Sequence, residues 1–240
     1  MNSIKTITFF LMASFLISAS ADQKTIELPD SVSSKTKCLN KKVLVYTPKN
    51  YKSKDKHPLI IFLHGMGERG TNIDNIKKHG PPKICESMRG FEFIAVSPQC
   101  LKDDKGKGWW NTADLNLLYD YILENYKVDK DRIYLTGLSM GGFGSWAWAA
   151  SNPDKFAAVA PVCGGGNPKQ AKKYGKLPIW AFHGDKDTVV AYKKSVEMVE
   201  AIKKEGGNAK LTTYKGVGHN SWTQAYNEKE LYKWFLSQSK

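Results

Sequence analysis

Arg132-Ile133-Tyr134-Leu135-Thr136-Gly137-Leu138-Ser139-Met140-Gly141-Gly142-Phe143 is the stretch on which the reading of this chain turns. An apolar run leads into G-x-S-x-G, and a helical-looking run follows over residues 143–151. Strand, sharp turn and helix together hold a serine on a strained corner, its hydroxyl clear of the backbone. Only small flanking residues let the strand and helix approach that closely. Ser139 is therefore the candidate nucleophile. A lone hydroxyl reacts poorly, so other parts of the chain must supply a base and a group to orient that base.

Further out, apolar runs recur, each closed by a Gly-rich loop. Leu59-Ile60-Ile61-Phe62-Leu63 is continuous and largely β-branched, as in strands buried on both faces of a parallel sheet. It ends in His64-Gly65-Met66-Gly67-Glu68-Arg69-Gly70. Similar runs over residues 91–97, 157–162, 178–182 and 210–214 predict strands. Residues 113–126 predict a helix whose Leu115, Leu118, Tyr119 and Ile122 share one face. Residues 192–204 predict another, and a closing helix carries Leu231, Trp234 and Phe235. Before Pro58 the chain reads as two antiparallel edge strands. Residues 72–79 suit a short helix, Pro81-Pro82 reads as punctuation, and residues 98–112 read as a long loop. Strands alternating with helices imply an α/β fold with a doubly wound, mostly parallel sheet flanked by helices. The expected unit is one domain over residues 22–240, with no insertion long enough for a lid.

Ligands of open α/β sheets bind beyond the carboxyl ends of the strands. The loops expected there carry His64, Ser139, Gly164 to Gly166, Asp187 and His219. His219, flanked by Gly218 after the last strand, is placed to take the serine proton. Asp185 and Asp187 compete for the acid that orients it; Asp187 is preferred because it lies farther from the strand, leaving Asp185 to organise the turn. His64 and His183 open H-G turns and read as structural, whereas His57 and His79 read as solvent residues. The backbone N–H groups of Met140 and Met66 are the candidate oxyanion donors. Trp109, Trp110 and Trp222 lie in or beside the same loops. They read either as packing aromatics or as a platform for a ring of the substrate.

Composition bounds the class. The 240 residues are 41% hydrophobic and 25% charged, as expected of one globular domain with a full core. Lys5, an apolar run over residues 7–17 and Ala19-Ser20-Ala21 predict a signal peptide over residues 1–21, hence a secreted or periplasmic protein with no membrane anchor after cleavage. The run is too short to span a bilayer. A formal charge of +13 comes from scattered lysines without an Arg-rich helix, which argues against nucleic-acid binding. Cys38, Cys85, Cys100 and Cys163 would all reach an oxidising compartment; three pairings are open and the spacing selects none. Neither they nor the dispersed histidines fit a metal site, and no cofactor is expected.

The segments 63–70, 137–142, 183–187 and 218–219 resemble the α/β-hydrolase superfamily. They are most similar to its lidless phospholipase/carboxylesterase and feruloyl-esterase branch, with dienelactone-hydrolase relatives. The resemblance covers about residue 44 to the C-terminus. It implies hydrolysis of carboxylic esters through an acyl-enzyme, with Ser139, Asp187 and His219 as the triad. Val190 stands where many relatives carry proline, a departure that leaves the chemistry untouched. Export, the missing lid and the tryptophans point to short acyl, acetyl or feruloyl esters of plant polysaccharide, with no nucleic-acid partner. A prolyl-oligopeptidase-like peptidase and a non-catalytic carbohydrate-binding hydrolase fold are the rival readings.

Overall fold

The computed structural model describes residues 22–51, 56–85, 87, 88 and 90–240. The expected signal peptide lies outside the described residues. In chain order the elements are β1 (Asp22–Glu27), α1 (Asp30–Ser33), β2 (Leu39–Thr47), β3 (His57–Leu63), α2 (Gly80–Ile84), β4 (Ile94–Cys100), α3 (Thr112–Asn125), β5 (Val128–Leu138) and α4 (Met140–Ser151). Then follow β6 (Ala158–Val162), β7 (Ile179–Gly184), α5 (Lys193–Lys204), β8 (Ala209–Tyr214), α6 (Trp222–Asn227) and α7 (Lys229–Leu236). Short 3-10 turns cover Met66–Glu68, Ile73–Lys78, Pro153–Lys155 and Pro168–Tyr174.

The strands form one sheet in the order β1-β2-β4-β3-β5-β6-β7-β8. The β1/β2 and β2/β4 pairs are antiparallel and every later pair is parallel. All residues of β3, β4 and β6 are buried, because helices cover both faces. Successive side chains of β3 divide between two cores. Leu59, Ile61 and Leu63 join Leu118, Trp146 and Met198 of the helices on one face. Ile60 and Phe62 join Tyr226, Leu231 and Phe235 on the other. This is the α/β-hydrolase arrangement.

Three details differ from what the sequence suggests. β4 runs on to Cys100 instead of yielding to a loop at Pro98. Its pairing with β3 ends at Val96, so beyond that point a missing proline N–H breaks no ladder on that side. Pro81 and Pro82 do not break the chain; they occupy the first turn of α2, where an N–H would lack a helical partner anyway. His57 is buried at the start of β3 with its ring against Tyr51, not in solvent. Trp222, read as in or beside the loop that carries His219, is the first residue of α6 at the end of that loop.

Candidate active site

The turn from β5 to α4 is the tightest point of the site. Ser139 has φ 51° and ψ −114°, a left-handed conformation that costs a residue with a side chain on the order of 1–3 kcal/mol. Its N–H donates to Val162 O at 2.9 Å, tying the corner to the end of β6. Glycine is required beside it for space: a methyl group on Gly141 would run into the Leu63 carbonyl, and one on Gly137 into the Gly141 carbonyl. Met140 is the first residue of α4, so its N–H has no partner within the helix and faces outward with the positive end of the helix dipole.

The loop after β8 brings His219 back across the sheet edge. His219 Nε2 lies 2.9 Å from Ser139 Oγ, and Nδ1 lies 2.7 Å from Asp187 Oδ2. The partners assign the tautomer: Nδ1–H donates to the carboxylate and Nε2 accepts from the serine hydroxyl. Burial alone would raise the Asp187 carboxyl. The His219 hydrogen bond and the N–H groups of Val190 and Val189 outweigh burial and hold it below the usual carboxylate range. Asp185 does not reach His219; its Oδ1 accepts from Gly216 N–H at 2.7 Å within the turn.

A second imidazole stands on the same carboxylate oxygen. His183, fully buried, places Nε2 3.1 Å from Asp187 Oδ2 and 2.9 Å from Val190 O. Both partners accept, so Nε2 carries the hydrogen and shares it between them. Ser195 Oγ, 2.7 Å away, then donates to Nδ1. Burial pushes the His183 pKa down, which keeps the ring a neutral donor. The sequence reading gave His183 only a turn. The four-residue spacing to Asp187 was the available signal.

The first loop is held through three consecutive carbonyls. Trp110 Nε1 donates to His64 O at 3.2 Å, His64 Nδ1 to Gly65 O at 2.6 Å, and Arg69 Nε to Met66 O at 3.0 Å. In a trans peptide the C=O and N–H point in opposite directions, so the bond to Gly65 O also sets where the Met66 N–H points. His64 Nε2 accepts from Cys100 N–H at 2.9 Å, and burial lowers the His64 pKa to about 4, so the ring stays neutral.

The three tryptophans separate. Trp109 is 48% exposed and leans on Phe143, one helical turn beyond Ser139. Trp110 takes the packing role of the two read for it and not the platform: it is 6% exposed, its ring packs on His64 in the core and its N–H is committed to the loop. Trp222 is half-buried, edge-on to His219 at 5.3 Å and against His79 at 5.5 Å, so it backs the imidazole.

Sequence comparison gives relatives whose names are those of ester hydrolases. The chain is 30% identical over 158 residues to the bifunctional acetylxylan esterase/xylanase of Neocallimastix patriciarum, covering 62% of this chain and 22% of that protein. It is 24% identical over 202 residues to the Aspergillus flavus protein named probable feruloyl esterase C, covering 82% and 73%. Among solved structures, a thermostable esterase superposes with a TM-score of 0.73 at 27% identity, covering 94% of this chain and 64% of that one. The chain thus spans under a quarter of the first relative and about two thirds of the esterase structure. The model of the dienelactone hydrolase family matches residues 109–232, just over half of the sequence. That span contains Ser139, Asp187 and His219 and the strands β5, β7 and β8 that carry them, and by it the chain belongs to the dienelactone hydrolase family.

Proposed function

We propose that the protein is an exported serine ester hydrolase that works through an acyl-enzyme. The observation that carries the reading is the unbroken hydrogen-bonded line from Ser139 through His219 to Asp187. Ser139 Oγ adds to the ester carbonyl carbon while His219 Nε2 takes its proton, and the carbonyl electron pair moves onto oxygen. The Met140 and Met66 N–H groups receive that oxyanion, a role in which one donor is typically worth about 3–4 kcal/mol of barrier. Collapse of the intermediate expels the alcohol, which leaves with the proton from His219. Water then repeats the sequence on the acyl-serine and releases the acid. Asp187 keeps the imidazole in the required tautomer and stabilises its charged form.

The substrate class is short acyl, acetyl or feruloyl esters of plant polysaccharide. Its support is the half-exposed Trp109 against Phe143, one helical turn beyond the candidate nucleophile, together with the names of the relatives. The test is kcat/KM on p-nitrophenyl acetate, p-nitrophenyl octanoate, methyl ferulate and acetylated xylan. Trp109→Ala is expected to raise KM several-fold on methyl ferulate and leave the acetyl ester unchanged, since a stacked ring contributes on the order of 1 kcal/mol without touching the carbonyl. Trp222→Ala is expected to lower kcat on every ester, because its ring supports His219. Activity that climbs with acyl length, or equal losses from both variants, would remove the polysaccharide reading.

His183 supplies a prediction about pH. Its N–H withdraws electron density from the Asp187 oxygen that also bonds His219. Replacing it by phenylalanine leaves that oxygen better able to stabilise the protonated imidazole. The acid limb of the kcat/KM profile should therefore move to higher pH. His183→Gln, which retains an N–H donor, should restore much of the original profile. An unmoved acid limb in His183→Phe, with the protein folded, would show that the second imidazole only packs.

A further inference from the structure

Cys38 and Cys100 lie far from the candidate nucleophile in sequence, yet both backbones are pinned. Cys38 N–H donates to Asp114 Oδ2 at 2.7 Å, and Cys38 O accepts from Leu101 N–H at 2.7 Å. Cys100 N–H donates to His64 Nε2 at 2.9 Å, and Cys100 O accepts from Gly70 N–H at 2.9 Å. Leu39 pairs with Cys100 across the antiparallel β2/β4 ladder. Strand geometry then puts the Cys38 and Cys100 Cα atoms about 6 Å apart, inside the roughly 4.4–6.8 Å window of a disulfide. Cys38 packs against the core cluster that holds Cys100, on the same face of the sheet. Cys85 and Cys163 are buried on the opposite face of the sheet, in the other core.

We propose that Cys38 and Cys100 form a disulfide that staples the edge of the sheet to the loops of the active site. Both cysteines are free thiols in the structure. The oxidant is a disulfide, either of a protein thiol oxidase or of a small molecule. Each cysteine gives up its hydrogen, one S–S bond forms between them, and the oxidant leaves as two thiols. Access and reactivity are divided between the partners. Cys38 is half-buried and reachable, whereas Cys100 is fully buried. The Cys100 thiol is lowered, chiefly by the Cys38 thiol beside it, with burial opposing and Arg69 assisting; the Cys38 thiol is pushed up, chiefly by Cys100, then by burial and Asp114. Cys38, the sulfur that solvent reaches, therefore exchanges with the oxidant to give a mixed disulfide, and the Cys100 sulfur displaces the oxidant's remaining thiol from it.

The bond would do more than tie two strands. Asp114, which holds Cys38, is in the first turn of α3, and its Oδ2 also accepts from Lys37 N–H at 2.8 Å. Cys100 holds His64, the ring that orients the Met66 peptide, and Arg69 joins that loop to Gly108 O at 3.0 Å. The covalent link therefore bridges β2, β4, α3 and the two loops that carry Met66 and Trp109. It closes a loop of about 60 residues, long enough for a large loss of unfolded-state freedom.

The experiment is incubation of the folded, leader-free protein with oxidised glutathione, alkylation under denaturing conditions, and peptide mass spectrometry. The expected result is a Cys38–Cys100 linked peptide, with Cys85 and Cys163 alkylated. The oxidised form should melt roughly 5–10 °C above the same protein reduced with a phosphine. Cys38→Ser should abolish that difference while leaving kcat/KM at 25 °C within about twofold of the reduced wild type. Cys85→Ala is the control and should still cross-link. Four alkylated cysteines, a different linkage, or a persistent glutathione adduct on Cys38 would overturn the proposal. None of these outcomes depends on which ester the protein cleaves.

Discussion

Ser139→Ala is expected to lower kcat on p-nitrophenyl acetate by about 10⁴–10⁶-fold with no loss of fold. The hydroxyl is the only atom removed, and alanine meets the same left-handed strain that Ser139 already bears at φ 51°. Thermal melting should stay within about 2 °C of wild type, which separates lost chemistry from lost structure. His219→Ala should cost a similar factor, because an imidazole with no serine to activate and a serine with no imidazole fail at the same step. The double variant should then be little worse than either single one, with the remaining rate coming from Met140 and Met66 N–H and from binding. Losses that multiply in the double variant would mean that the two residues act independently and that the nucleophile is elsewhere. A burst of p-nitrophenol in wild type, equal to the enzyme concentration and absent from Ser139→Ala, would identify the acyl-enzyme directly.

The second large effect concerns the acid. Asp187→Asn is expected to lower kcat about 10⁴-fold, because the amide presents an N–H where His219 Nδ1–H needs an acceptor and so favours the wrong tautomer. Its remaining oxygen can still accept from Val189 and Val190 N–H, so the turn survives. Asp185→Asn should change kcat less than about threefold, since an amide oxygen can replace the carboxylate that accepts from Gly216. The same substitution at Asp187 has a pH signature in stability. The native carboxyl lies below its ordinary value, so its stabilisation is present at neutral pH and is lost as pH falls through the lowered native value. The Tm gap between wild type and Asp187→Asn should therefore be widest near pH 7 and should close on acidification below about pH 4. If Asp185→Asn proves the more damaging variant, the acid has been assigned to the wrong residue.

The tryptophans illustrate where reading a sequence reaches its limit. Trp109 and Trp110 are neighbours of the same residue type in one loop, so composition and spacing treat them alike. In the fold they point opposite ways: one ring is half in solvent against Phe143, the other is in the core with its N–H on His64 O. Trp110→Ala is accordingly expected to destabilise the protein by about 3–5 kcal/mol, a loss read in Tm on every substrate alike. His183 reads as no more than a structural turn residue for a related reason. An H-G pair at a strand end has the signature of a turn, and its contact with Asp187 appears only once the loop has closed back on β7.

By itself, the sequence determined the alternation of strands and helices, the corner at Ser139, and which loops meet at one edge of the sheet. Those are local properties: continuous apolar runs mark strands covered on both faces, and glycines mark where backbones must nearly touch. It could rank Asp187 above Asp185 but not measure either against His219. Only the tertiary structure decided that one carboxylate oxygen serves two imidazoles, that His64 is held by the end of β4, and that Cys38 and Cys100 pack into one core. Each of those contacts depends on the relative height of loop ends on neighbouring strands. That height is set by register and by how far β4 continues past Pro98, and neither is written in any short stretch of the chain.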